Sequence, residues 1–188
     1  HSDIDIMFLY PDVTESTELT EFKKIIAEEV LYPLWDLGLK VGHSSRNELE
    51  VLEEINKEIQ SKNAILESRI ICGSKPLFES MIEKFGKQIK KDDSIAYVKQ
   101  RLKDENKRHL KYKNNIYLQQ PNIKNGLGGL RDYQNILWIS MIKYNLNSFK
   151  DLQNKKFLRE DEVRNIEHAY DFLLRTRNEL HYLNKRPT

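Results

Sequence analysis

An α+β fold, with a small sheet in the N-terminal half and a mainly helical C-terminal half, is predicted by three observations. The segment IDIMFLY, residues 4–10, is short, rich in Ile, Phe and Tyr, and stopped by Pro11, which reads as a buried strand. Leu37, Leu39 and Val41 alternate and predict a second strand ending at Gly42. Beyond Gly86 the apolar residues recur at helical spacing apart from one loop.

Between the two strands, Phe22, Ile25, Ile26, Val30, Leu31 and Leu34 fall three and four residues apart and predict a helix from Glu18 to Trp35. Asn47 with Glu50 three residues on has the form of a capping box, and Leu49, Leu52, Ile55 and Ile59 continue as an amphipathic helix. The stretch Ala64 to Cys72 is ambiguous, helical at first and then either helical or extended at RIIC before Gly73; the sheet is expected to be small and mixed. Leu77, Phe78, Met81, Ile82 and Phe85 give a further helix. KQIKKDD is a polar joint, placing a boundary near residues 87–92 and two domains at 1–89 and 90–188. The second half carries a basic helix near Asp93 to Tyr112, a loop from Lys113 to Leu127, and helices near Gly129 to Tyr144 and Arg159 to Asn184. Their alternating charges read as solvated faces.

The 188 residues suffice for one well-buried core or two small ones. Although 32% of residues are charged, the formal net charge is only +2, without the excess expected of a general nucleic-acid binder. The single cysteine, Cys72, excludes an internal disulfide and a cysteine-rich zinc site, which points to a reducing compartment, the cytoplasm by default. No apolar run reaches the roughly 18 residues needed to span a bilayer, so no membrane partner is expected. The chain starts without Met, directly at a strand, and is expected to be a fragment of something longer.

Chemistry is concentrated at the first strand. Residues i and i+2 of a strand point to one side, so Asp3 and Asp5 present two carboxylates together. Such a pair repels itself unless a cation intervenes, and hard oxygen ligands suit Mg²⁺ or Mn²⁺, which keep open positions for phosphate oxygens. By themselves these acids are equally compatible with a strand-end pair near a turn.

Read in order, SDIDIMFL, LWDLGLKVGHSSRN, ILESRIICG, ENKRHLKY, QQPNIKNGLGGLRDYQNILWI and LLRTRNELH resemble successive motifs of the PII uridylyltransferases, the bifunctional uridylyl-transferring and uridylyl-removing enzymes of bacterial nitrogen control. The resemblance covers nearly the whole chain. It implies a truncated nucleotidyltransferase domain of the polymerase-β type followed by the helical domain characteristic of the uridylyltransferase. It also implies that Ser2, Asp3 and Asp5 bind Mg²⁺ and a nucleoside triphosphate. The implied reaction moves UMP from UTP to a tyrosine of the PII signal protein and releases pyrophosphate.

A third carboxylate is expected at Glu67 of LESR or at Asp36 of LWDLG, with Glu67 favoured because the family shows an acid followed two residues later by Arg. His43, Ser44, Ser45 and Arg46 follow the predicted second strand as a loop within reach of a triphosphate, Arg46 being able to give two parallel bonds to one phosphate. For His43 a structural hydrogen bond is expected rather than catalysis. Glycines 126, 128 and 129 precede an apolar helix and would leave amides free at its start, a natural anion site. The Lys-Ser or Lys-Thr ending of a P-loop is missing. Lys124, Arg131 and Asp132 either face the nucleotide cleft or, for Arg131 and Asp132, lock two helices by ion pairing.

Arg108, His109, Arg175, Arg177 and His181 lie on helices with apolar opposite faces, and no His-x-x-His or His-Asp dyad is present in the sequence. The family's uridylyl-removing activity resides in an HD domain whose motif is not seen here, and no segment resembles its glutamine-sensing ACT domains, so the resemblance implies that this chain is the N-terminal part only. The family's glycine-rich stretch before the S-D-x-D is also absent, so the chain as given is expected to bind nucleotide poorly and to be nearly inactive. Gln120 stands where the family commonly has Glu, and Leu127 where it commonly has Pro. Two other readings stay open: a related nucleotidyltransferase acting on another protein, and a non-catalytic module that binds nucleotide or a partner.

Overall fold

The computed structural model describes residues 4–12, 16–91, 94–112, 117 and 119–184. Ser2 and Asp3 lie outside the described residues. The chain divides into two compact units, residues 1–88 and 89–186.

The first unit opens with β1 (Ile4–Leu9). A helical run follows: α1 (Ser16–Ile25), a π-helical turn (Ile26–Leu31) and α2 (Tyr32–Asp36). The wide turn sits just before Pro33, which has no N–H for an ordinary α-helical bond, and there the Tyr32 amide reaches back five residues to the Ala27 carbonyl. Gly38, with φ of +76°, ends the run. β2 (Val41–Arg46) then pairs parallel with β1, Ile4 opposite Val41 through Leu9 opposite Arg46. The second strand thus begins where the sequence pattern placed its end, and His43 to Arg46, expected as a loop, are its interior and far end. Gly42 is a strand residue rather than a stop.

α3 (Glu48–Lys57) starts at the predicted capping box: the Asn47 side chain accepts from the Glu50 amide, and the Glu50 carboxylate accepts from the Asn47 amide. An extended Glu58 breaks the helix before α4 (Ile59–Leu66), so the predicted single helix is two. RIIC joins no strand. Among the described residues the sheet is therefore a parallel pair rather than mixed. β1 is only partly covered, because a two-stranded sheet buries little; of its segment only Tyr10 is buried, beside Phe22. Ile26, Leu31, Val51, Ile55, Ile65, Met81 and Phe85 are the unit's other buried apolar residues. α5 (Lys75–Lys91) carries the last two and continues through Gly86 and most of the expected polar joint.

The second unit contains α6 (Ser94–Lys111), α7 (Leu130–Tyr144), α8 (Phe149–Asn154) and α9 (Glu160–Asn184). α8 escapes periodicity because six residues are too few to show it. Its start is marked by Ser148, whose hydroxyl accepts from the Asp151 amide. Phe149, Leu152 and Val163 form a core cluster, packed by Tyr133, Leu137, Leu146, Leu158 and Ile166. Tyr133 stacks on Tyr170 of α9 at 3.8 Å between ring centroids. No described helix is long and apolar enough to cross a membrane.

Candidate functional site

In the first unit, parallel pairing sets Asp5 beside Gly42. The Asp5 carboxylate lies across the sheet: a Cβ placed on Gly42 would stand 2.6 Å from Asp5 Oδ1. Asp5, Trp35, Leu39, Lys40, Val41 and Gly42 line a shallow cleft. Trp35 packs edge-on against the ring of His43, 5.7 Å between centroids.

The opposite end of the strand pair is tied down by polar contacts. The Tyr10 hydroxyl donates to Glu50 Oε2 at 2.7 Å, and the same oxygen accepts the Asn47 amide at 2.8 Å. Burial, then the hydrogen bond to Glu50, pushes the Tyr10 phenol up to about 12; the Tyr10 and Asn47 donors hold Glu50 below the usual carboxylate range. Arg46 lies at this end, four residues from Gly42 and so about 13 Å along the strand. It pairs with Glu54 at 3.7 Å. Glu67, exposed, caps the C-terminus of α4, and Asp36, exposed, is the last residue of α2. Neither lines the cleft beside Asp5.

In the second unit the glycine-bearing loop folds back on the start of α7. The amides of Gly129, Leu130 and Arg131 donate to the carbonyls of Gly126, Ile123 and Lys124 at 2.9–3.0 Å. The helix start expected to offer free amides to an anion is thus closed by the loop's own carbonyls. The glycines serve that closure: Gly128 has φ of +71°, and a Cβ on Gly129 would stand 2.7 Å from the Ile123 carbonyl oxygen. Lys124 is half-buried in this loop.

Asp132 binds the loop to α6. It accepts from Arg108, from His109 Nε2 at 3.0 Å and from the Gly128 amide at 2.8 Å, while Arg108 also donates to the Asn125 carbonyl at 3.0 Å. Burial alone would raise the Asp132 carboxyl, but the donors Arg108 and His109 outweigh it and hold the group below the usual range. A carboxylate has only lone pairs to offer, so Nε2 carries the His109 proton. Glu105, one helical turn before His109, completes a group whose ligand atoms all lie within 4.8 Å. Such oxygens and an imidazole could hold a divalent ion, but the Arg108 guanidinium already neutralises Asp132.

The ion pair between Asp132 and Arg108 ties α7 to α6, one of the two arrangements expected for Asp132. Arg131 stands beside an aromatic ring. Its guanidinium lies 5.2 Å from the Trp138 ring, which also carries the buried Arg101 at 4.7 Å. Arg101 Nε donates to the buried Asn135 side chain at 2.7 Å. Sequence reading missed the His109–Asp132 contact because its members are 23 residues apart; the Glu105–His109 spacing of four was the available signal. It missed Gly42 by treating the residue as a strand stop.

The family model described as GlnD PII-uridylyltransferase matches residues 96–188, the stretch containing this network. Over nearly the whole chain, the bifunctional uridylyltransferase/uridylyl-removing enzyme of Azospirillum brasilense is 36% identical (98% of this chain, 19% of the relative). The chain belongs to the PII-uridylyltransferase family. Equivalent enzymes of Bradyrhizobium sp. (strain ORS 278) and Phenylobacterium zucineum (strain HLK1) are 33% and 34% identical, each over 99% of this chain and 19% of the relative. The chain thus spans about a fifth of the length of these family members. No solved structure matches it.

Proposed function

We propose that this chain is the nucleotidyltransferase portion of a PII uridylyltransferase, transferring UMP from UTP to a tyrosine of the PII signal protein. In this reading residues 1–89 form a polymerase-β-type domain and 90–188 the helical domain that accompanies it. The observation that carries the reading is Asp5, exposed at the start of β1 with its carboxylate spread over Gly42, in a chain aligned almost end to end with bifunctional uridylyltransferases. An exposed carboxylate beside an open cleft fits a hard divalent ion such as Mg²⁺ or Mn²⁺.

Asp3 and Asp5 would hold the ion, with Glu67 as the third acid, and Ser2 and Arg46 would contact the nucleotide. The ion would neutralise phosphate charge and favour the ionised acceptor hydroxyl. As the tyrosine oxygen bonds to the α-phosphorus, the bond to pyrophosphate breaks. The test is label transfer from UTP to PII with Mg²⁺, in a polypeptide extended upstream of His1. Label lost in both Asp3→Asn and Asp5→Asn is the expected result. No label on PII from the folded, extended protein would overturn the reading and leave another acceptor or a non-catalytic module.

A further inference from the structure

We propose that Gly42 is a positioning residue for the Asp5 carboxylate, reserving on β2 the space in which that group meets a divalent cation. The inference rests on Asp5 being a metal ligand, the reading given above.

A glycine inside a strand weakens it and needs a reason. Backbone conformation supplies none here, because the glycines with positive φ are Gly38, Gly73 and Gly128. The reason is across the strand. Facing residues of a parallel pair direct side chains to the same side, so a side chain at position 42 would project where Asp5 projects. A Cβ there would lie 2.6 Å from Oδ1, 3.8 Å from Cγ and 3.9 Å from the Ile4 carbonyl oxygen. The first distance is far inside van der Waals contact. The neighbouring atom is the end of a side chain, so the carboxylate rather than the sheet would yield. Any residue but glycine therefore turns Asp5 out of its position while leaving the strands paired. The cleft on this side, lined also by Trp35 and Lys40, opens onto the same carboxylate.

The experiment is Mn²⁺ titration of the protein, followed by the paramagnetic resonance signal of the free ion, with no nucleotide or turnover involved. Gly42→Ala is expected to weaken Mn²⁺ binding at least tenfold with an unchanged or raised Tm. In an Asp5→Asn background the same substitution is expected to change affinity less than twofold, because a residue acting through Asp5 has nothing left to act on. Gly42→Ala binding Mn²⁺ as tightly as the parent, while Asp5→Asn binds weakly, would overturn the role of Gly42 and leave the metal reading standing. Equal binding by the parent and Asp5→Asn would overturn the metal reading and the inference together. A crystal structure of Gly42→Ala with Asp5 Oδ1 undisplaced would also refute the role of Gly42, and it requires no ion.

Discussion

Replacing Asp132 by Asn tests whether the α6–loop–α7 network holds the second unit together. The substitution keeps the shape of the side chain and one acceptor oxygen, but removes the charge that faces Arg108 and His109 and one of the oxygens they and Gly128 share. A hydrogen bond to a charged group contributes about 1.5–3 kcal/mol, and breaking a buried ion pair costs about 3–5 kcal/mol. The side chains of Arg108 and Asp132 are 13% and 19% exposed, so some water reaches the orphaned guanidinium. A loss of about 2–3 kcal/mol is expected at pH 7.

The chain's two tryptophans, Trp35 and Trp138, fall one in each unit. In a Trp35→Phe background, urea unfolding followed by Trp138 fluorescence reports the helical unit alone, and a shifted midpoint at constant slope measures the loss. The Asp132 carboxyl is depressed on folding. Its contribution is thus fully present above the unfolded value near pH 4 and is lost as pH falls through the folded value. The gap between parent and Asp132→Asn should hold from pH 7 to 5 and narrow below about pH 4. A loss under 0.5 kcal/mol, or a gap that stays constant to pH 3, would refute the reasoning.

Two further predictions concern the first unit. Asn47→Ala removes the side-chain half of the capping box and should cost about 1 kcal/mol in urea unfolding followed by Trp35; no change would mean that α3 is held by packing alone. Because the Tyr10 phenol is raised to about 12, folding stability should fall between pH 10 and pH 12, where the unfolded chain ionises first. Thermal melts across that range should show the slope in the parent and a shallower one in Tyr10→Phe.

Elements with a local cause were legible in the sequence. The capping box at Asn47, the apolar faces of α7 and α9, and the strand stopped by Pro11 each depend on neighbours within a few residues. The register of β2 was not, because alternation at Leu37, Leu39 and Val41 resembles a strand whether or not a partner is present. Pairing with Ile4–Leu9 instead selects Val41–Arg46. For the same reason Asp5 was readable as a residue of the first strand, but its cross-strand neighbour Gly42 was not. Asp132 was noticed, yet its side-chain donors come from a helix 23 and 24 residues away, a distance no local pattern spans.

The parallel strand pair has a consequence for handling the molecule. Among the described residues β1 and β2 each have a single bonded neighbour, so a row of backbone donors and acceptors lies along the outer edge of each. Edges of this kind accept a strand from another polypeptide, and a two-stranded sheet is only marginally stable by itself.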